Sequence, residues 1–183
     1  MRPLERRRAD PRILVVNGHP DPRPERFCAA LCDAYLQGAR AAGRSVDAIA
    51  LGLLPIDDEP GLESPERLDA LRMLRACDAL VAIYPLWLDK PPPFLTWFLE
   101  LGACEARAAA QRPAHLVVTM AMPAFIHRSL CRAQDAADPL AEGVSLPGWQ
   151  TSALDFVGCV NTLSQDQRAE WLNRLRQEGC KGF

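Results

Sequence analysis

The chain has 183 residues, of which 49% are apolar and 24% charged, with a formal charge of −2 at neutral pH. That length suits one well-buried core rather than two ordinary domains, and the composition is that of a soluble globular protein. The slightly acidic balance excludes a general grip on nucleic acid, because phosphate-binding surfaces carry a basic excess.

The opening MRPLERRRADP holds an arginine cluster with no apolar run behind it long enough for a signal peptide or membrane span. Residues 1–11 therefore read as a solvated tail on a single domain covering 1–183. Arg12–Asn17 (RILVVN) has four consecutive apolar residues and no alternation, the pattern of a strand covered on both faces. From Pro24 the period changes. Phe27, Leu31, Ala34 and Tyr35 form the buried stripe of a helix that ends near Gly43. Ser45–Leu51 alternates and reads as a half-buried or edge strand, and the Pro- and Asp-rich stretch Leu53–Gly61 as a loop.

Ser64 and Pro65 supply the N-cap and first position of a second helix that runs to Ala76. Asp78–Tyr84 is the third and most central strand. Phe94, Trp97, Phe98 and Leu101 make an amphipathic face over Pro91–Leu101, and His115–Thr119 is a fourth strand. Residues 127–150 resist assignment, beyond a helix signal followed by a Gly/Pro-rich stretch. Thr151–Val160 contains a fifth strand. Ser164 opens the last helix with a capping box to Gln167, Trp171 and Leu175 lie on its inner face, and Gly179 ends it.

Seven cysteines, at 28, 32, 77, 104, 131, 159 and 180, include no CxxC pair, so neither a disulfide framework nor a zinc ribbon is expected. Scattered thiols of this kind point to the cytoplasm. Strand–helix alternation implies right-handed βαβ units and an α/β fold whose parallel, five-stranded sheet has the order 2-1-3-4-5. Ligands of such sheets bind beyond the carboxyl ends of the strands, where strands 1 and 3 diverge.

Three loops fall there. The first, Asn17 to Phe27, offers Gly18, a helix N-terminus suited to anions, and His19, Arg23 and Arg26 as cofactor contacts or as solvated side chains. Asp21 before Pro22 reads as a plain turn former. The second, Tyr84 to Pro93, is aromatic, apolar and stiffened by prolines. It reads as a flat wall with backbone N–H and C=O groups left for a ligand, such as an isoalloxazine ring. The third, Thr119 to Arg128, brings small and apolar groups, with His127 as a proton donor or a helix cap. The start ILVVNGHPDP also looks like that of zinc-dependent sugar N-deacetylases. Pro22 stands where their second metal-binding Asp would be, and His115 and His127 form no ligand pair, so no catalytic zinc set of three can be assembled and no metal is expected.

Taken together, ILVVNGHPDP…FCAALCDAY, DALVAIYPLWLDKPPPFLTWFLE and HLVVTMAMPAFIHR resemble the flavodoxin-like NAD(P)H:quinone oxidoreductases, a family that includes ancillary subunits of potassium-efflux systems. The resemblance implies a flavodoxin-like three-layer sandwich that binds FMN or FAD and passes a hydride from NAD(P)H through the flavin to a quinone. By the same resemblance His19, Arg26 and Phe27 contact the flavin's phosphate or ADP part. Pro85, Leu86, Trp87 and Leu88 line its ring, and Thr119, Met120 and Ala121 close the far edge. A homodimer is implied, and a membrane-protein partner if the chain is an ancillary subunit. Tyr84 and His127 are the candidates for a catalytic role.

Some positions depart from the family pattern. Arg23-Pro24-Glu25-Arg26 replaces Ser or Thr, Asp89 and Lys90 replace a glycine region, Ala121 stands for glycine and His127 for tyrosine, and the segment between Leu101 and Ala114 is short. These departures leave a second reading, a catalytically silent binding or regulatory subunit.

Overall fold

The computed structural model describes residues 11–55, 64–87, 90–105, 112–123 and 149–182. The expectations for the tail before Pro11, the later part of the 53–61 loop, Leu88, the middle of the short 101–114 segment and the 127–148 stretch with His127 lie outside those residues.

Five strands form one sheet: β1 (Ile13–Asn17), β2 (Val46–Ala50), β3 (Ala79–Pro85), β4 (Arg112–Thr119) and β5 (Trp149–Val157). Their order is β2-β1-β3-β4-β5 with every pair parallel, as the sequence pattern predicts. β3 lies at the centre and is buried throughout, whereas the edge strand β2 is mostly half-buried, which accounts for its alternation. Both edges of the sequence reading move outward at the far side. β4 begins at Arg112 rather than His115, and β5 at Trp149 rather than Thr151, because Arg112 and Pro113 pair with Trp149 and Gln150.

Four helices pack on this sheet among the described residues: α1 (Phe27–Ala41), α2 (Pro65–Ala76), α3 (Pro93–Glu105) and α4 (Gln165–Lys181). Alternate residues of each central strand point to opposite layers. Leu14, Val16, Leu80, Ala82, Tyr84 and Leu116 join Leu71, Leu74, Leu95 and Phe98 of α2 and α3. Ile13, Val15, Val81, Ile83 and Val117 join Leu31, Tyr35 and Leu175 of α1 and α4. Each buried Val, Leu, Ile or Phe side chain among these stabilises the fold by about 1.5–3 kcal/mol relative to exposure. The three-layer arrangement follows directly from a sheet that is apolar on both faces.

Local signals set the helix starts. The Ser64 hydroxyl accepts the Arg67 amide (3.2 Å) ahead of Pro65. Ser164 and Gln167 close a reciprocal capping box, with bonds of 3.2 and 2.9 Å. At the other end of α2, the Arg112 guanidinium donates to the carbonyls of Leu74, Arg75 and Cys77 while lying over the Trp149 ring. It is a cation placed at the negative end of a helix.

Gly179 does not end the last helix, which continues to Lys181 and stops at Gly182 with φ +68°. Its reason lies in tertiary packing. A Cβ at Gly179 would sit 2.2 Å from the Tyr35 carbonyl oxygen, and one at Gly38 would sit 1.9 Å from the Arg176 carbonyl oxygen. The two glycines let α1 and α4 cross with their backbones in contact. On an exposed helix Gly→Ala stabilises by about 1 kcal/mol; here the sign reverses, and Gly38→Ala or Gly179→Ala costs about 1–3 kcal/mol through overpacking. Urea unfolding of the two variants checks this, and a gain in stability refutes the close crossing.

Candidate functional site

Where β1, β3 and β4 end, their following loops enclose an open cleft of about 370 Å³. Its lining contains His19, Arg26, Phe27, Pro85, Leu86, Trp87, Thr119, Met120 and Ala121, all drawn from the three loops singled out in the sequence. Five further residues complete it: Glu25 and Cys28 beside α1, and Val160, Asn161 and Arg168 from beyond β5. The last three carry no local motif and arrive only because β5 and α4 pack beside β4 and α1.

The path into the first loop is tightly specified. The Gly18 amide donates to the Ile83 carbonyl at 2.8 Å, extending the β1–β3 pairing past Asn17. A Cβ on Gly18 would stand 2.9 Å from that of Tyr84, so only glycine lets the chain turn this close to β3. The Asn17 side chain then accepts the His19 amide at 3.0 Å, and His19 Nδ1 accepts the Asp21 amide at 2.9 Å. An accepting Nδ1 leaves the proton of a neutral imidazole on Nε2. Burial, followed by the nearby Arg26 cation, lowers the His19 pKa and favours that neutral form.

Asp21 is the hub of this loop rather than a mere turn former. Its carboxylate accepts from Arg23 Nε (2.9 Å) and Nη2 (2.7 Å) and from Arg26 Nε (2.6 Å). The hydrogen bonds from Arg23, ahead of those from Arg26, hold its pKa well below the usual carboxylate range. Among the described residues no cluster of three or more His, Cys, Asp or Glu could hold a metal ion.

Arg26 is the N-cap residue of α1 and offers no side-chain cap, and no backbone carbonyl among the described residues accepts the amides of Phe27 and Cys28. The positive end of α1 thus opens on the cleft beside the Arg26 guanidinium, an arrangement that attracts anions. From α4, the Arg168 guanidinium lies 4.8 Å over the Phe27 ring and donates to the Val160 carbonyl at 2.8 Å. Cys28, the second residue of α1, is buried with its sulfur 3.4 Å from the Thr119 hydroxyl, and burial pushes its thiol up to about 11.

On the opposite side Pro85, Leu86 and Trp87 form an apolar wall, with Trp87 half-exposed at the rim. The wall differs from expectation in its backbone. Leu86 N–H is spent on the Thr119 carbonyl (2.8 Å), and Trp87 exchanges N–H···O bonds of 2.9 Å with Lys90. An unspent backbone group lies elsewhere in the lining instead, where the amide of Ala121 has no backbone acceptor among the described residues. Val160 and Cys159 donate to Met120 and Met122, tying the loops after β4 and β5 together, with Cys159 at φ 55°.

Tyr84 is not brought to the cleft. Residues of β3 alternate between layers, and this one faces α2 and α3 with its side chain fully buried in their core. Its phenol pKa is raised by desolvation, so the structure gives it no part in chemistry at the cleft. Leu88 and His127 lie outside the described residues.

An anion-ready helix end, a flat apolar wall and a β1/β3 switch point in a 2-1-3-4-5 parallel sheet define a doubly wound α/β protein of the flavodoxin type. Comparison with known proteins agrees. The profile of a family described as having the flavodoxin-like fold matches residues 11–141, and the chain belongs to that family. No curated protein is found to match. Among solved structures, an NAD(P)H:quinone oxidoreductase from Methanothermobacter marburgensis superposes with a TM-score of 0.69 at 18% identity, covering 94% of this chain and 97% of its own. An NADPH-quinone reductase from P. pentosaceus gives 0.61 at 14% identity over 94% and 99% of the two chains. An FMN-dependent NADH-azoreductase from Bacillus anthracis in complex with FMN gives 0.60 at 10% identity over 93% and 98%. At these identities the likeness is one of fold.

Two outcomes test the site's electrostatics. The His19 imidazole should titrate below its ordinary 6.5 in an NMR pH series, with its proton on Nε2, and Arg26→Ala should move the midpoint upward. Because the unfolded chain takes up this proton first, stability falls as pH drops below 6.5 and levels off once folded His19 is protonated too. Alkylation at neutral pH followed by peptide mapping should modify the exposed Cys180 well before the buried Cys28, Cys32 and Cys77.

Proposed function

We propose that the chain is a flavin-dependent oxidoreductase that takes a hydride from NAD(P)H and delivers two electrons to a quinone or a similarly flat acceptor. One observation carries the reading: a single cleft at the β1/β3 switch point joins the uncapped start of α1, with Arg26 beside it, to the wall of Pro85, Leu86 and Trp87. This is the polarity of a flavin, whose phosphate end is anionic and whose ring is flat, apolar on its faces and polar at its edges. The names of the structural neighbours are consistent with it.

The residues present fit such a group. Arg26 and the Phe27 and Cys28 amides would hold the phosphate end. Pro85, Leu86 and Trp87 would cover one face of the ring and exclude water from it. Thr119, Met120 and Ala121 would border its far edge, with the Ala121 amide available to a ring oxygen or nitrogen. His19, neutral and protonated at Nε2, would donate a hydrogen bond without adding charge. When bound, the flavin supplies the two-electron relay between nicotinamide and acceptor, and the protein contributes position and polarity. The half-exposed Trp87 stands at the rim, where a flat acceptor or a second copy of the chain would dock.

One observation favours a different reading, a binding or regulatory subunit without turnover: the Leu86 and Trp87 amides are consumed inside the protein rather than offered to a ring edge. In either case we read the working form as a homodimer, which size-exclusion chromatography with light scattering checks.

After incubation with FMN or FAD and desalting, the folded protein should retain the visible absorption bands of an oxidised flavin and should then oxidise NADH or NADPH when a quinone is added. Retained colour without turnover selects the regulatory reading. A colourless, folded protein removes both as flavin proteins.

A further inference from the structure

The cleft contains a second guanidinium that no feature of the loops announced. Arg168 sits in the first turn of α4, and two contacts fix where it points. Its Nη2 donates to the Val160 carbonyl at 2.8 Å and its Nε reaches the Leu163 carbonyl at 3.4 Å, while its plane lies 4.8 Å over Phe27. The remaining nitrogen, Nη1, has no partner among the described residues. Phe27 is the first residue of α1, so the side chain of Arg168 is anchored beside the amides left open at that helix end. The close crossing of α1 and α4 at Gly38 and Gly179 holds the two helices in the register this requires.

Arg26 and Arg168 therefore bring two cations to one end of the cleft, against the single carboxylate of Glu25 among its lining residues. Arg26 is oriented by Asp21, which neutralises part of its charge, whereas Arg168 is held by carbonyl oxygens and an aromatic face and keeps its charge in full. The starts of α1 and α4 also differ. α4 satisfies its first turn with its own Ser164–Gln167 box, while α1 leaves amides for a ligand.

We propose that Arg168 is a phosphate-binding residue of the cofactor site, closing over the phosphate of a flavin from α4 while Arg26 and the α1 amides hold it from below. The inference rests on the flavin reading given above and adds to it the group that makes binding depend on the phosphate. In this chain guanidinium groups do what hydroxyls do in loops richer in Ser and Thr. A phosphate monoester carries about −1.5 to −2 charges at neutral pH, matching two guanidinium groups. Riboflavin, with the same ring and no phosphate, gains nothing from either.

The test measures FMN and riboflavin affinity by flavin fluorescence quenching with the full chain, its Arg168→Gln and Arg168→Lys variants, and inorganic phosphate as competitor. Wild type should bind FMN more tightly than riboflavin, and phosphate should displace FMN. Arg168→Gln should weaken FMN by about tenfold to a hundredfold, the worth of a charge-assisted hydrogen bond, while leaving riboflavin unchanged. Arg168→Lys should recover part of the loss, and the salt dependence of FMN binding should flatten in the Gln variant. If Arg168 only clamps the Val160–Leu163 turn, Arg168→Gln weakens both flavins equally and lowers the melting temperature, which overturns the proposal. Equal wild-type affinity for FMN and riboflavin overturns it as well and leaves flavin binding standing. Binding of neither overturns the flavin reading and this inference together.

Discussion

The cleft depends on β1 being hydrogen-bonded on both sides. Its register to β2 and β3 places Val15 and Val16 in opposite layers, and one residue past the strand the Gly18 amide still reaches Ile83. Only there does the chain leave the sheet, at a glycine whose missing Cβ lets it pass against Tyr84 and Leu95. Strands on either side of this point send their helices to opposite faces, so the loops separate and leave a crevice between them. Every group in the cleft takes its position from that divergence. The wall at Pro85–Trp87 continues β3, the edge at Thr119–Ala121 continues β4, and α1 begins where the first loop returns to the sheet.

Electrostatics give the cleft two unlike ends. At the α1 end the helix dipole, Arg26 and Arg168 make a positive corner, moderated by Glu25 and by the carboxylate of Asp21. Asp21 also organises its loop twice over. Its side chain holds Arg23 and Arg26, and its amide settles which nitrogen of His19 carries the proton. The wall end is apolar, and its backbone amides are already paired. A ligand with a charged tail and a flat, weakly polar body matches both ends at once, and a uniformly charged or uniformly apolar one does not.

The thiols sort by burial in the same way. Cys28, Cys32 and Cys77 are buried and held above the usual thiol range, so they behave as small apolar groups in the packing of α1 and α2. Remote from the cleft, His115 pairs with Asp155 at 2.9 Å, and Asp155 also meets Arg174 of α4. That network joins β4, β5 and α4, the elements that carry Arg168, Val160 and Asn161 to the cleft. Among the described residues no helix is long and apolar enough to cross a membrane.

The layered α/β fold, the strand order, two of the four helix caps and nine of the cleft's residues were legible in the sequence, because each rests on a short-range signal. Unbroken apolar runs reveal strands covered on both faces, Ser64-Pro65 and Ser164–Gln167 reveal helix starts, and a loop such as Tyr84-Pro85-Leu86-Trp87 is conspicuous for being apolar. Other features depend on which segments meet after folding. Gly179 reads locally as a helix end and proves to be a contact point between helices, since the Tyr35 carbonyl that excludes its Cβ lies on another element. Tyr84 reads as a site residue from its place at a strand end, yet the alternation of side chains along β3 turns it into the core. Arg168 and the pairing of the Leu86 amide with Thr119 likewise have no local signature, whereas Asp21 finds its partners Arg23 and Arg26 within its own loop. Charge pairs and hydrogen bonds are short-range in space and indifferent to distance along the chain, so the sequence by itself determined the elements and their layers, and only the tertiary structure decided which charges and donors face the cleft.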